Sequence, residues 1–502
     1  MRGKCIMIQG TGSSVGKSVI CAALLRILKQ DGYRVAPFKA QNMALNSFAT
    51  REGLEMGRAQ VTQAQAAGVE PSVKMNPVLL KPTSDRRSQV VVNGKPIGNM
   101  TAMEYHTYKP ELRRMIRETY DALESQVDFV VIEGAGSPAE INLREGDIVN
   151  MSMAQAADAP VLLVGDINLG GVFASLYGTV MLLTPEERAR VKGTIINKFR
   201  GDVKILEPGL KMLEDLIRVP VAGVIPWTEV ELEDEDSVTE RFHRVAGTGD
   251  VEIAVVRLPH ISNFTDFQAL SLAEGARVRY AEKPADLESA DVVILPGTKN
   301  TIEDLLALRN RGMDAAVVRH ARKGGLVMGV CGGYQMLANR LSDPLHVESR
   351  VTEVAGLGLL DMDVEFLPEK TTVQARGTIE GGACWLSALE GATVDGYEIH
   401  AGTNFYGGGA VPWLRLSSRA GIDGVRNERG NVLGSYVHGL FDNGHLARAV
   451  VDCACAQKGF SARGGASLTM DQFREREFDR LADIVRASLD MDLVYKVLRG
   501  EV

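Results

Sequence analysis

The sequence of 502 residues is poor in cysteine: Cys5, Cys21, Cys331, Cys384, Cys453 and Cys455 are all it has. Six thiols so scattered make no disulfide framework, and no CxxC pair offers zinc spacing; a reducing, cytoplasmic setting without structural zinc is expected. Long apolar runs are missing too. None approaches the ~20 residues of a membrane span, and the opening MRGKCIMIQG turns polar too soon for a signal peptide, so no membrane partner is expected. Basic residues are in deficit, 56 against 64 acidic, for a formal charge of -8. A dedicated nucleic-acid binder usually carries the opposite surplus, so no nucleic-acid partner is expected either. No repeat of fixed period and no low-complexity segment is visible. What remains, 45% hydrophobic and 24% charged residues, is ordinary globular usage. At ~150 residues per domain the length suits about three units, or two larger ones equally well.

Short apolar runs alternate with helical stretches through the first half. Cys5–Gln9, Arg34–Phe38, Phe129–Ile132, Val161–Val164 and Thr194–Ile196 read as buried strands, and Ser18–Gln30 as an amphipathic helix. Strands spaced by helices imply a parallel sheet covered on both faces. At Glu231–Asp236 five of six residues are acidic, a solvated loop suited to a domain boundary. A second alternating series follows: Ile253–Val256, Val292–Leu295 and Leu326–Val330, then runs around Gly356–Phe366 and Asn431–Val437. The fold class expected is α/β, with two doubly wound α/β domains. The first spans 1–230, an acidic linker 231–250, the second 251–445, and a helical C-terminal tail 446–502.

Gly10-Thr11-Gly12-Ser13-Ser14-Val15-Gly16-Lys17-Ser18 lies between the first strand and the first helix. Such a turn points backbone N–H groups at phosphate oxygens, and the helix start adds its positive dipole end. Lys17 would reach the terminal phosphates of ATP and the Ser18 hydroxyl would ligate Mg²⁺. The strict motif asks for glycine where Thr11 stands; with Gly10 one position earlier, this loop is longer by one residue. Glu133 directly follows the strand at 129–132, at the strand end where open α/β sheets bind ligands, and is the expected magnesium carboxylate. Lys39, just past the strand at 34–38, could neutralise charge on a transferred phosphoryl group.

In the second half, Leu326–Val330 is followed by Cys331 and then by Gly332-Gly333-Tyr334-Gln335. Small residues on both sides permit a sharp strand-to-helix turn that exposes a nucleophile, and a helix start favours its thiolate. Its base is expected to be His438, at the end of the run Asn431–Val437, with His400 as the runner-up. Backbone N–H groups of Gly297 and Gly332 are candidates for an oxyanion hole. No third residue to orient His438 is visible, since Leu440 stands two positions on, where a glutamate would complete a triad. A dyad with slower or more tightly gated chemistry is therefore expected.

Gly329–Gln335 with a distant His438 resembles the class I glutamine amidotransferase domain, in the subgroup whose histidine lacks the usual glutamate. The loop Gly10–Ser18, with Lys39 and Glu133, resembles dethiobiotin synthetase-type ATPases. The two joined in this order are similar to the cobyrinic-acid amidating enzymes. The stretches Pro37–Met43, Lys74–Pro82, Glu133–Leu143 and Gly170–Ala174 extend that likeness over nearly the whole chain.

The resemblance implies a glutamine-hydrolysing, ATP-dependent amidoligase of cobalamin biosynthesis. Its small-molecule substrates would be a corrinoid, glutamine and ATP. It would amidate the b, d, e and g carboxylates of adenosylcobyrinic acid a,c-diamide through acyl phosphates, with Mg²⁺ assisting and ammonia passing along a sheltered route. It also implies an adenine contact at Asn197, and at Asn42 and Asp147 contacts to magnesium or to corrinoid carboxylates. Two alternatives remain open: the relative that forms the a,c-diamide, and a nucleotide-switched partitioning-type ATPase. The oligomeric state cannot be read from the chain.

Overall fold

The computed structural model describes residues 4–84, 87–232, 242, 245–382, 384–417, 422–460 and 468–502. Residues 233–236 of the acidic run lie outside them. The chain divides into two compact units.

The first unit is built on a six-stranded parallel sheet. Its order is Val221–Pro226, Val191–Phe199, Val161–Asp166, Lys4–Gly10, Phe129–Glu133, Val35–Phe38. The runs Ile6–Ile8, Val130–Ile132 and Val161–Val164 are wholly buried, as strands covered on both faces must be. After Lys4–Gly10 the chain first fills one edge and later returns to pair on its other side. The carboxyl ends of Lys4–Gly10, Phe129–Glu133 and Val161–Asp166 therefore meet at a topological switch point, where such sheets bind ligands. A second, four-stranded sheet in this unit joins Gln41–Met43, Val78–Ser84, Arg87–Val92 and Lys95–Thr101.

The second unit carries a nine-stranded sheet. Five parallel strands come first, in the order Ala276–Ala281, Val251–Val256, Val292–Leu295, Leu326–Val330, Val432–Ser435. Four antiparallel strands continue it: Ile422–Arg426, Val411–Leu416, Thr371–Ile379 and Thr393–His400. The run expected at Gly356–Phe366 forms the strand Met362–Glu365 of a separate four-stranded sheet. The apolar series marked four of the five parallel strands and missed the edge strand Ala276–Ala281, whose pattern ARVRYA is interrupted by charge. The antiparallel extension escaped it because one-sided strands such as Thr371–Ile379 carry no continuous apolar run.

Two segments depart from a sequential division. Residues Leu45–Glu55 pack with the second unit although both flanks belong to the first. The expected tail 446–502 is shared: helix His445–Gln457 packs in the second unit, whereas Arg474–Val502 belongs to the first. There Phe478, Leu481, Val485, Val494 and Val497 share one core with Ile20, Leu24 and Ile27 of helix Lys17–Gln30. Arg26 of that helix, itself buried, pairs with Glu475 at 2.7 Å and Asp479 at 2.8 Å. No helix among the described residues is long and apolar enough to cross a membrane.

Because Phe478 is 1% exposed in the core under the phosphate-loop helix, Phe478→Ala should destabilise the first unit by about 3–5 kcal/mol. Denaturant unfolding monitors the loss; a change within error would mean that the last helices are an appendage.

Candidate active site

In the first unit the loop Gly10–Ser18 joins strand Lys4–Gly10 to helix Lys17–Gln30. Ser14 and Gly16 adopt positive φ, 58° and 102°, so the loop turns back on itself before the helix starts. A Cβ at Gly16 would lie 2.1 Å from Asn197 Nδ2, so glycine is required there for space as well as for φ. Lys17 is buried, and its Nζ donates to the carbonyls of Gly12 at 2.8 Å and Gly136 at 3.1 Å. It closes the loop across the mouth where phosphate oxygens would sit.

Glu133 is the hub. Its Oε1 accepts from Ser18 Oγ and from Lys39 Nζ, both at 2.8 Å, and its Oε2 accepts from Gln63 Nε2 at 2.5 Å. Ser18, Lys39 and Glu133, three expected residues from three separate elements, are thus assembled at one point. Gln63, on helix Arg58–Ala67, was not foreseen, and neither was Lys198. The latter, at φ 60°, ties Ser14 O to Asp166 Oδ2 with two 2.7 Å hydrogen bonds.

Three softer candidates have partners within the chain. Asn197 is buried behind the loop and gives its Nδ2 to Val15 O at 2.8 Å; here it braces the loop. Asp147 caps a helix: its Oδ1 accepts from the N–H groups of Val149 and Asn150, and its Oδ2 from that of Ser152. A carboxylate engaged by three backbone donors at the start of helix Met151–Ala156 has a structural task. Asn42, 3% exposed, pairs with Gln60 at 2.9 Å and accepts from the Met43 N–H. It belongs to a buried amide cluster with Asn76, whose Oδ1 accepts from Gly57 N–H. Neither Asn42 nor Asp147 is presented as a ligand.

In the second unit Cys331 sits between strand Leu326–Val330 and helix Gly332–Met336 at φ 52°, ψ −111°. A non-glycine residue there stores strain, and the surroundings fix it. The Cys331 N–H donates to Ser435 O at 2.9 Å. A Cβ at Gly333 would lie 2.0 Å from Leu295 O, and one at Gly329 2.7 Å from Gly333 O. The flanking glycines are what let the turn close. The helix after it has five residues, too few for much dipole, so activation has to come from a neighbouring side chain.

That neighbour is His438, 1% exposed and within electrostatic range of the Cys331 sulfur, whose thiol donates to Ile399 O at 3.6 Å. The dyad expectation is overturned on its other side: His438 Nδ1 meets Asp266 Oδ2 at 2.6 Å, and Gly439 N–H donates to Asp266 Oδ1 at 3.2 Å. Burial opposes a charged ring, but the Asp266 carboxylate and the Cys331 sulfur outweigh it and push His438 up to about 10. The third residue comes from the turn Phe264–Phe267, far upstream, not from the segment after the histidine. His400 is elsewhere engaged: its Nδ1 faces Gly402 O at 3.1 Å and its ring stacks on Tyr436 at 3.7 Å.

Of the two expected oxyanion glycines, Gly332 directly follows Cys331 and Gly297 lies against the His438 ring. Gly297 ends the neighbouring strand region, and its Cβ would lie 3.0 Å from His438 Cε1. Gly332 opens the helix after Cys331, where N–H groups lack intrahelical acceptors, and a Cβ there would meet Thr298 Cγ2 at 2.6 Å. The loop carrying Gly297 is held by buried Asp304, which accepts from Thr298 Oγ1 at 2.5 Å and faces His260 Nδ1 at 2.7 Å. Four adjacent parallel strands thus deliver Asp266, Gly297, Cys331 and His438 beyond their carboxyl ends.

A charged pair unforeseen from sequence completes the surroundings. Lys299 and Glu348 are half-buried and interact with each other, and Lys299 also feels the Cys331 sulfur. Burial and nearby Lys370 push Lys299 down, against the pull of Glu348. Burial pushes Glu348 up to about 7, although Lys299 and the Thr301 N–H, 3.0 Å away, favour its charge.

Comparison with known proteins agrees with this division. The family model described as the CobQ/CobB/MinD/ParA nucleotide binding domain matches residues 6–238. The one described as a CobB/CobQ-like glutamine amidotransferase domain matches residues 252–446. Among similar proteins, cobyric acid synthase of Alkaliphilus metalliredigens is 53% identical over 99% of this chain and 100% of its own. That of Thermoanaerobacter sp. is 52% identical over 98% of both chains. That of Clostridium botulinum is 52% identical over 98% of this chain and 99% of its own.

A ring whose pKa folding raises stabilises the fold fully below its unfolded value of about 6.5, and that contribution fades as pH climbs through the folded value. For His438 the window therefore runs from about 6.5 to about 10. Asp266→Asn should be less stable than the parent at pH 6, and the gap should narrow towards pH 10. Denaturation midpoints across that range test it; a gap independent of pH would remove the proton from the Asp266–His438 contact.

Proposed function

The chain belongs to the cobyric acid synthase family, and we propose how its residues divide that work between a glutaminase and a carboxylate-activating site. It uses ATP and hydrolyses glutamine to amidate a corrinoid in cobalamin biosynthesis. The acceptor proposed is adenosylcobyrinic acid a,c-diamide, at its b, d, e and g carboxylates. The observation that carries the reading is the strained Cys331 facing a His438 held by Asp266 at 2.6 Å.

The sulfur of Cys331 attacks the side-chain amide carbon of glutamine with the proton of the Cys331–His438 pair on the ring. The N–H groups of Gly297 and Gly332 face the oxygen on which negative charge develops. His438 then protonates the departing nitrogen, ammonia leaves, and a thioester remains. Water attacks the thioester while the ring takes the proton back, releasing glutamate and restoring the pair. Lys299 and Glu348 supply a cation and an anion for the carboxylate and ammonium at the other end of glutamine.

In the first unit a corrinoid carboxylate attacks the γ-phosphorus of ATP and ADP leaves, giving an acyl phosphate. Ammonia attacks the acyl carbon and phosphate departs. Phosphorylation is what makes a carboxylate electrophilic, because it replaces a poor oxide leaving group. Backbone N–H groups of Gly12–Lys17 cradle the phosphates, and Lys17 exchanges its carbonyl partners for phosphate oxygens. A divalent cation fits the donors present: Ser18 Oγ and Glu133 Oε1 are 2.8 Å apart beside the loop, a hydroxyl and a carboxylate of the kind Mg²⁺ accepts alongside phosphates. Such a cation would neutralise charge on the phosphate oxygens. Lys39, buried against Glu133, is a second positive charge for the transferred group.

Cys331→Ala should abolish glutamine-dependent amidation and keep activity with added ammonia. Lys17→Ala should lose amidation with either nitrogen source, by about 100-fold or more. Product masses from the a,c-diamide, ATP and glutamine should show four added amides. A cysteine variant equally dead with ammonia would refute the division of labour, and no product beyond the diamide would refute the acceptor.

A further inference from the structure

Residues Leu45–Glu55 leave the first unit between strand Gln41–Met43 and helix Arg58–Ala67 and pack in the second. Their first part is almost wholly buried: Asn46 and Ser47 are 1% exposed and Ala49 is 0% exposed. Two sets of contacts lead from it to the triad. Asn46 Oδ1 accepts from the Asn263 N–H at 2.7 Å, while Asn263 Oδ1 accepts from the Ser47 N–H at 2.9 Å. Asn263 stands at φ 52° and starts the turn that presents Asp266, whose own N–H donates to Asn263 O at 3.1 Å. On the other side the Phe48 ring lies 4.7 Å from that of Tyr397, and Tyr397 stacks on His438 at 5.3 Å with planes 24° apart. Tyr397 and His438 also exchange backbone hydrogen bonds, at 3.2 and 2.8 Å. The far end of the segment is tied by Glu55 to Lys370 at 2.6 Å and by Ala49 O to Gln374.

We propose that Asn46–Ala49 is a positioning strap of the glutaminase, fixing Asp266 through Asn263 and the His438 ring through Tyr397. Asn46 and Phe48 act through these neighbours. Their effect is on the angle and distance at which the carboxylate meets the ring. A shift of about 1 Å at such a contact can cost 10²-fold in rate. The strap is also short. Three residues before it ends the strand holding Asn42, and the helix that begins nine residues after Ala49 carries Gln63, a partner of Glu133. Chain continuity alone therefore links the phosphate-site scaffold to the alignment of the triad. This inference rests on reading Cys331, His438 and Asp266 as a glutaminase.

The test uses the full-length enzyme with Phe48→Ala, Phe48→Tyr and Asn46→Ala. Glutaminase kcat and KM, its pH profile, and ammonia-driven amidation are measured for each. Phe48→Ala and Asn46→Ala should lower glutaminase kcat by about 10- to 100-fold, with KM for glutamine and ammonia-driven amidation changed by less than about twofold. Phe48→Tyr should restore kcat, and the limb of the pH profile set by His438 should move to lower pH in Asn46→Ala. Unchanged kcat in both truncations, a rise in KM alone, or a parallel loss of ammonia-driven amidation would overturn the strap. Should Phe48→Ala fail to fold, Phe48→Leu decides by the same readings. Glutamine hydrolysis surviving Cys331→Ala would instead sink the underlying reading and leave the strap contacts to another chemistry.

Discussion

One buried proton organises the second unit. A histidine 1% exposed would normally be neutral, because burial disfavours the charged ring. Here a carboxylate 2.6 Å away reverses the preference, and the surroundings are arranged so that it can. Gly297 has no Cβ, which is why its loop can approach the ring edge. Tyr397 covers one face, and Asp266 is reached through a turn starting in left-handed backbone. Removing either partner of such a buried pair leaves an uncompensated charge, a loss of about 3–5 kcal/mol where it has been measured. The same hydrogen bond fixes the ring beside the Cys331 sulfur without exposing it to water. Stability and reactivity therefore depend on one hydrogen bond.

The first unit solves a related problem with opposite charges at hand. Glu133 is 1% exposed and Lys39 4% exposed, so each neutralises the other within a fully parallel sheet. Ser18 and Gln63 use the remaining oxygen lone pairs, as a buried carboxylate requires. The hub is balanced before any nucleotide arrives. Lys17 and Lys39 are held meanwhile by carbonyls and a carboxylate within the chain. Both units place their chemistry beyond the carboxyl ends of neighbouring parallel strands, where loops of different origin converge.

Much of this was legible in the sequence, and the pattern of what was not is physical. The phosphate loop and the cysteine elbow are local: their glycines, Lys17, Ser18 and Cys331 fall within a few positions, and the backbone they demand is written beside them. The apolar runs gave the central parallel strands for the same reason, and missed the edge strands Val221–Pro226 and Ala276–Ala281. Asp266 was hidden because it meets His438 across 172 positions, and the turn carrying it has no signature of its own. Two places beyond the histidine stands Leu440, whose side chain has no acceptor to offer the ring. Asn42 and Asp147 sit in motif-rich stretches, yet they serve the backbone, one in an amide cluster and one as a cap. A motif marks a neighbourhood; which of its polar side chains are spent on structure depends on donors that only folding brings near.

The division of the chain follows the same logic. Reading along the sequence suggests a cut near residue 250, with a tail left over. Folding assigns Arg474–Val502 to the core under the phosphate-loop helix and Leu45–Glu55 to the turn that presents Asp266. Either half, taken alone at the apparent boundary, would lack a buried part of itself: the first would expose Ile20, Leu24 and Ile27, and the second would leave Asn263 without its side-chain acceptor. Fusion of the two activities is thus built into packing as well as into the peptide bond. Each unit is completed by a segment that the chain reaches only by way of the other, so neither the nitrogen-releasing site nor the phosphate site can be fully formed from a contiguous half.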